Sequence, residues 1–135
     1  MTRSVKVLVA AAALAALSVL LSSCASGPVQ IPEGLSVAEL FQRAQDAGDS
    51  GNYPLAIRYY DLVAQNYPAD LMHVTWASYE VAFLYHKMGK DKEALSRFNA
   101  LLDQYAAQGD KLPPAPRVLA AKIKARLEEI LKITS

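Results

Sequence analysis

The 135-residue sequence holds one cysteine, one tryptophan and two histidines. A single thiol excludes an intramolecular disulfide, and one cysteine cannot build the thiolate-rich ligand set of a structural zinc site. His73 and His86 share no helix face suited to a metal, and both read as surface or groove histidines. No serine, histidine and aspartate fall in a nucleophile motif, and the six glycines form no phosphate-binding loop after a strand. Glu128, Glu129, Asp46 and Asp49 are accounted for as solvated helix faces or turn residues. The expectation is a protein with no catalytic residue, no cofactor and no metal. Neither charge sign dominates. Setting aside Arg3 and Lys6 leaves 12 basic against 13 acidic side chains. A near-neutral chain lacks the cationic surface that nucleic acid requires, so a nucleic-acid partner is not expected.

What is present begins with an address. Arg3 and Lys6 form a short basic leader, Val7 to Leu21 is almost wholly apolar, and Leu21-Ser22-Ser23-Cys24 closes the segment. Fifteen residues fall short of the roughly 20 that span a bilayer, and their place is that of a secretory signal peptide. Leu, small, small, Cys at the end of such a run resembles the bacterial lipobox. That resemblance implies cleavage after residue 23 and acylation of Cys24 as the first residue of the mature chain. The acyl groups would anchor the protein, since each buried methylene contributes about 0.8 kcal/mol and more than one chain gives a stable hold. In Gram-negative lipoproteins an aspartate after the cysteine marks inner-membrane retention, so Ala25 implies the outer membrane, facing the periplasm. Residues 24–34 read as a tether, because Ser26, Gly27, Pro28, Pro32 and Gly34 discourage regular structure.

Residues 35–135 are organised by a pattern that occurs twice. Gly51-Asn52-Tyr53-Pro54-Leu55-Ala56 and Gly89-Lys90-Asp91-Lys92-Glu93-Ala94 each read as a turn that opens a helix. Large apolar residues then recur at the same offsets, Ala56, Tyr60, Val63, Tyr67 and Ala94, Phe98, Leu101, Tyr105. Steps of four, three and four place each set on one helix face. A matching pair lies upstream of each turn, Ala44 with Ala47 and Ala82 with Tyr85. Ser36 and Glu39 form a capping box for the first helix, and Pro54 fits the first turn of the second. The two copies stand 38 residues apart, against about 34 for a comparable helical repeat. The four extra residues lie between Pro68 and Ala82 and match one helical turn, so they predict a longer third helix capped by Asp70. The same step predicts an inner stripe at Ala120 and Ile123, and a glycine turn at position 127. Position 127 is leucine, so the last helix is expected to run through Ile130 and Leu131 unpaired and to cap the array.

A small residue in the first helix, Gly and Tyr at the turn, Ala at the crossing, an aromatic four residues later and a closing Pro resemble the tetratricopeptide repeat (TPR). Gly51, Tyr53, Ala56, Tyr60 and Pro68 supply the whole pattern in the first copy. The resemblance implies an all-α, right-handed TPR solenoid of two helix pairs plus a C-terminal capping helix. It also implies a concave groove lined by the first helix of each pair. The positions so assigned to partner binding are Phe41 and Gln45 in one copy, and Tyr79, Glu80, Phe83, His86 and Lys87 in the other. Trp76 lies on the same helix. Aromatic groups flanked by charge are what peptide recognition uses for anchoring.

An anchor followed by tandem repeats resembles the barrel-assembly lipoprotein family BamD, whose members carry more repeats, and periplasmic TPR proteins that coordinate cell-wall synthesis. The implied function is a lipid-anchored, non-enzymatic scaffold that docks envelope proteins or peptides during outer-membrane protein or cell-wall assembly. The alternative is a lipoprotein that presents a small ligand to a solute transporter, which would need the aromatic side chains to enclose a cavity. The anchor has a direct test: Cys24→Ala is expected to move the protein from the membrane to the soluble fraction on cell fractionation, and unchanged membrane partitioning would contradict acylation at this residue.

Overall fold

The computed structural model describes residues 29–133, and these contain five α-helices and no strand. The leader, the apolar run and Cys24 lie outside the described residues. Helix α1 spans Val37–Asp49, α2 Tyr53–Asn66, α3 Leu71–Lys87, α4 Asp91–Gln108 and α5 Pro114–Ile133, with one 3₁₀ turn at Gly109–Lys111. None of these helices is long and apolar enough to cross a membrane.

Local chemistry sets each boundary. The Ser36 hydroxyl accepts from the Glu39 N–H at 3.3 Å, while the Ser36 N–H donates to Glu39 Oε2 at 2.8 Å. These reciprocal bonds satisfy two donors that the first helical turn leaves unpaired, and the Ser36 hydroxyl, donating to Glu39 Oε2 at 2.6 Å, together with the Ser36 N–H holds the Glu39 carboxyl below its ordinary value. At the other end of α1 the chain reverses through Gly51, with φ at 79°, and the second copy repeats this at Gly89, with φ at 72°. A side chain there would meet strain rather than a neighbour, so both glycines serve the left-handed turn. Asn52 then caps α2 by accepting from the Leu55 N–H, and Pro54 lies in its first turn. Asp70 caps α3 through the His73 N–H at 3.1 Å. Lys90 offers α4 no side-chain cap, and Asp91 and Glu93 in the first turn suit the positive end of its dipole instead.

The third helix has 17 residues where the first has 13. The four extra residues are therefore one added helical turn, as their number requires. Each helix packs on the next, and α1 also touches α3 while α3 touches α5. The result is two layers, with α1, α3 and α5 on one side and α2 and α4 on the other.

The repeated stripes form the core. Leu40, Ala44, Ala47, Ala56, Tyr60 and Val63 are buried between α1, α2 and α3. Ala82, Ala94, Phe98, Leu101 and Tyr105 form one cluster with Ala120 and Leu127 of α5. Phe98, Leu101 and Leu127 are fully buried, and burial of such side chains stabilises by about 1.5–3 kcal/mol each. Leu127 thus stands where a strict third repeat would turn, and it seals the second pair instead. Ile123 is half-buried against the same cluster. Two tyrosine hydroxyls tie helix ends to the backbone: Tyr67 OH donates to the distant Leu35 carbonyl at 2.7 Å, and Tyr105 OH donates to the Pro113 carbonyl across the turn between α4 and α5.

Ala56 and Ala94 have no exposed surface. Replacing either by leucine is expected to lower stability by about 1–3 kcal/mol in urea unfolding, whereas the same change at exposed Ala100 should leave the midpoint where it is.

Candidate functional site

The layer of α1 and α3 carries the residues that the repeat pattern assigns to binding. On α3, His73, Trp76, Glu80, Phe83 and Lys87 follow one another at steps of three and four, so they share a strip of the helix. Phe41 of α1 faces this strip. Its ring meets Tyr60 edge-on at 5.2 Å between centroids and His73 at 5.3 Å. Tyr60 comes from α2 and forms the floor between the two first helices.

Each assigned residue has a definite place. Phe41 is half-buried, and Gln45 is exposed beside it. Tyr79 is only 7% exposed and belongs to the core rather than to an open groove. Its ring lies 5.8 Å from Phe98 and 5.9 Å from Trp76, and it stacks on Phe83 at 6.2 Å. The reason is tertiary: α4 and α5 close over this flank of α3, leaving Trp76 and Phe83 half-buried at its edge. Glu80 is half-buried, and burial raises its carboxyl above the ordinary range, an effect that nearby Lys87 partly offsets. Burial and the Glu80 charge also raise the Tyr79 and Tyr60 hydroxyls, and Asp49 adds to the effect on Tyr60. Glu80 therefore sits among the rings that line the strip.

His86 is tied to the next helix while its ring stays 6.3 Å from that of Phe83. Its Nδ1 lies 2.7 Å from Asp91 Oδ1, in the first turn of α4. Lys87 is exposed, with its ammonium 5.6 Å from the Phe83 ring centre and 5.8 Å from that of Tyr53. The structure thus places Glu80, Phe83 and Lys87 along one strip of α3, sets Phe41 at its His73 end, leaves Gln45 exposed, and buries Tyr79. One residue beside the strip was missing from the sequence-based set, Tyr53 of α2, whose ring the Lys87 ammonium approaches. Tyr60 is buried beneath Phe41, in keeping with its place in the core stripe.

The other face has a cleft of about 180 Å³ between α2, α3 and α4. Ala64, Ala77 and Ala100 line it, with Asp61 and Arg97 among its polar groups. Arg97 is not free to enclose a ligand, because its guanidinium stacks 4.2 Å from the Tyr85 ring centre and donates to the Tyr85 hydroxyl at 3.1 Å. Among the described residues no cluster of three or more histidine, cysteine, aspartate or glutamate side chains could hold a metal ion.

No family model matches the sequence, and no solved structure matches it. The chain is 36% identical over 98 residues to an uncharacterized protein of Treponema pallidum, an alignment that covers 70% of this chain and 39% of that protein. It is 34% identical over 97 residues to the outer membrane protein assembly factor BamD of Neisseria meningitidis, covering 66% of this chain and 36% of BamD. The BamD of Neisseria gonorrhoeae is 32% identical over the same length. The chain therefore spans less than two fifths of the length of these relatives.

Glu80 yields a test of the electrostatics. A carboxyl raised by burial weakens the native state when ionised, so its penalty is present above its folded pKa and vanishes as pH falls below the ordinary carboxylate value. Glu80→Gln is accordingly expected to raise the melting temperature at pH 7, with the difference closing by about pH 4 when melting is followed by circular dichroism.

Proposed function

We propose that this chain is a non-enzymatic envelope scaffold with a right-handed TPR architecture, held at the outer membrane by an acylated Cys24 and docking proteins that take part in outer-membrane protein assembly. The observation that carries this reading is the similarity to BamD across two thirds of the chain. The architecture supports it. Residues 32–135 form one compact unit in which paired helices present Phe41, Glu80, Phe83 and Lys87 on a single face. A half-buried carboxylate among rings, with an exposed ammonium at one end, can orient a bound segment as well as hold it.

The mechanism is docking rather than chemistry. A partner segment laid across α1 and α3 would bury the edges of Phe41 and Phe83. Its polar groups would meet Gln45 and Lys87 at the rim. Acylation at Cys24, followed by a tether ending near residue 34, would keep this face close to the membrane. The transporter reading gains little from the geometry, since Trp76, Tyr79 and Phe83 pack on one another and against the core rather than around a space.

A photoreactive amino acid at position 45 or 83, activated in intact cells, tests the proposal. Capture of outer-membrane assembly components, reduced when Phe41 is changed to alanine, is the expected result. Capture confined to subunits of a solute transporter would overturn it.

A further inference from the structure

Glu80 holds a charge that the domain leaves unmatched. Of the other half-buried carboxylates among the described residues, Asp70 is bonded to His73, Asp91 to His86, and Glu128 pairs with Lys124. Glu80 alone has neither a hydrogen bond nor an ion pair among them. Its neighbour on the groove floor is unmatched as well. Tyr60 is only 3% exposed, and its hydroxyl makes no hydrogen bond among the described residues. No fully enclosed side-chain oxygen there lacks a partner, so the Tyr60 oxygen itself reaches solvent. Its ring rests against Phe41 of α1. Burial raises this hydroxyl first, and the charges of Glu80 and then Asp49 raise it further, which sets the oxygen between α1 and α3.

The other charges turned toward the groove do not satisfy Glu80. Lys87 stands two turns along α3 and forms no ion pair with it, since its ammonium lies 5.6 Å from the Phe83 ring centre and 5.8 Å from that of Tyr53. His73 and His86 are held by Asp70 and Asp91. Asp49 is exposed and adds a second negative charge. We propose that Glu80 receives a lysine or arginine side chain from the segment docked across α1 and α3, with the hydrocarbon stem against Phe83 and the charged head at the Glu80 carboxylate and the Tyr60 oxygen. This names the chemistry of the partner in the docking reading above and rests on that reading.

The chemistry of the two open groups selects a cation. A carboxylate only accepts hydrogen bonds and a phenol oxygen can accept them, so the group that meets both is a donor. A neutral donor would leave the desolvated charge uncompensated, whereas an ammonium or guanidinium pairs with it through charge-assisted bonds. A long basic side chain also covers apolar surface with its stem while its head stays at the rim. An acidic segment, or anionic lipid, would set like charges against Glu80 and Asp49.

The test titrates the full chain in mild detergent with three labelled 12-residue peptides. They differ only at a central arginine, citrulline or glutamate, with a leucine two residues to either side. Citrulline keeps the shape of arginine without the charge. Fluorescence anisotropy is expected to show the arginine peptide binding at least about tenfold more tightly than the citrulline peptide, and the glutamate peptide binding least. E80Q should make the arginine and citrulline peptides equal. That variant is expected to melt higher than the parent, so a lost preference is not a lost fold. D61N, which removes an exposed carboxylate on the other face, should leave the preference unchanged. The Glu80 carboxyl carbon, followed by NMR across pH, should titrate at lower pH once the arginine peptide is bound. Equal affinity for arginine and citrulline, including no binding of any peptide, overturns the proposal, as does a preference that survives E80Q or is lost in D61N. A dimer that E80Q dissociates in sedimentation would assign the carboxylate to a second copy, and displacement of the arginine peptide by phosphatidylethanolamine vesicles from the parent but not from E80Q would assign it to a lipid ammonium. Either result overturns the proposal. In-cell capture from position 83 does not depend on the peptide preference. Capture of assembly components without an arginine preference strikes this inference alone, and capture confined to a transporter strikes the docking reading.

Discussion

The close crossing of helices at alanine is the constraint on which the rest of the structure depends. Ala44, Ala56, Ala82 and Ala94 have no exposed surface, and at the α1 and α2 crossing a Cβ built on Gly48 would lie only 3.9 Å from that of Ala56. A larger side chain at such a point would separate the helices and open the stripes on either side. The glycine turns at Gly51 and Gly89 bring the second helix of each pair back at the angle that makes the crossing possible. Once it is made, Tyr60 and Phe98, four residues on from the crossing alanine in each copy, are both buried.

The binding face is a by-product of that packing. Layering places α1 and α3 side by side, and residues that face neither layer's core are left along one strip. Glu80 shows the consequence: surrounded by Tyr60, Tyr79 and Lys87, it is desolvated enough for its carboxyl to rise, yet it stays close to the surface. A charge held in this way is poorly solvated before a partner arrives, so a matched partner has less water to displace. The strip is thus tuned by its walls as much as by its own residues.

Helix α5 meets the rest of the domain along one stripe. Ala120 and Leu127 enter the cluster built by α3 and α4, and Ile123 lies half-buried against it, while Val118 remains 67% exposed. The same helix thus carries a buried and a solvated side, because only the residues at helical spacing from Ala120 reach the neighbouring helices.

Much of this was written locally. Ser36 with Glu39, Pro54, Asp70, Gly51 and Gly89 act within a few residues of themselves, through hydrogen bonds and backbone dihedrals that short spacing determines. The stripes from Ala56 and Ala94 were legible because helical periodicity is a property of the chain alone, and the longer α3 followed from four residues making one turn. What tertiary structure decided was which side of α3 met solvent. The spacing of Tyr79 could not reveal that Phe98 and the flank of α5 would bury it, nor that Asp91 would fix His86, because those neighbours arrive from helices whose approach depends on packing. Tyr60 was assigned to the core by its period, and it took the adjacency of α1 to place its ring against Phe41. Sequence by itself determined the helices, their pairing and their inner faces; the outer faces were decided only when the helices met, since exposure is a relation between elements and not a property of any one of them.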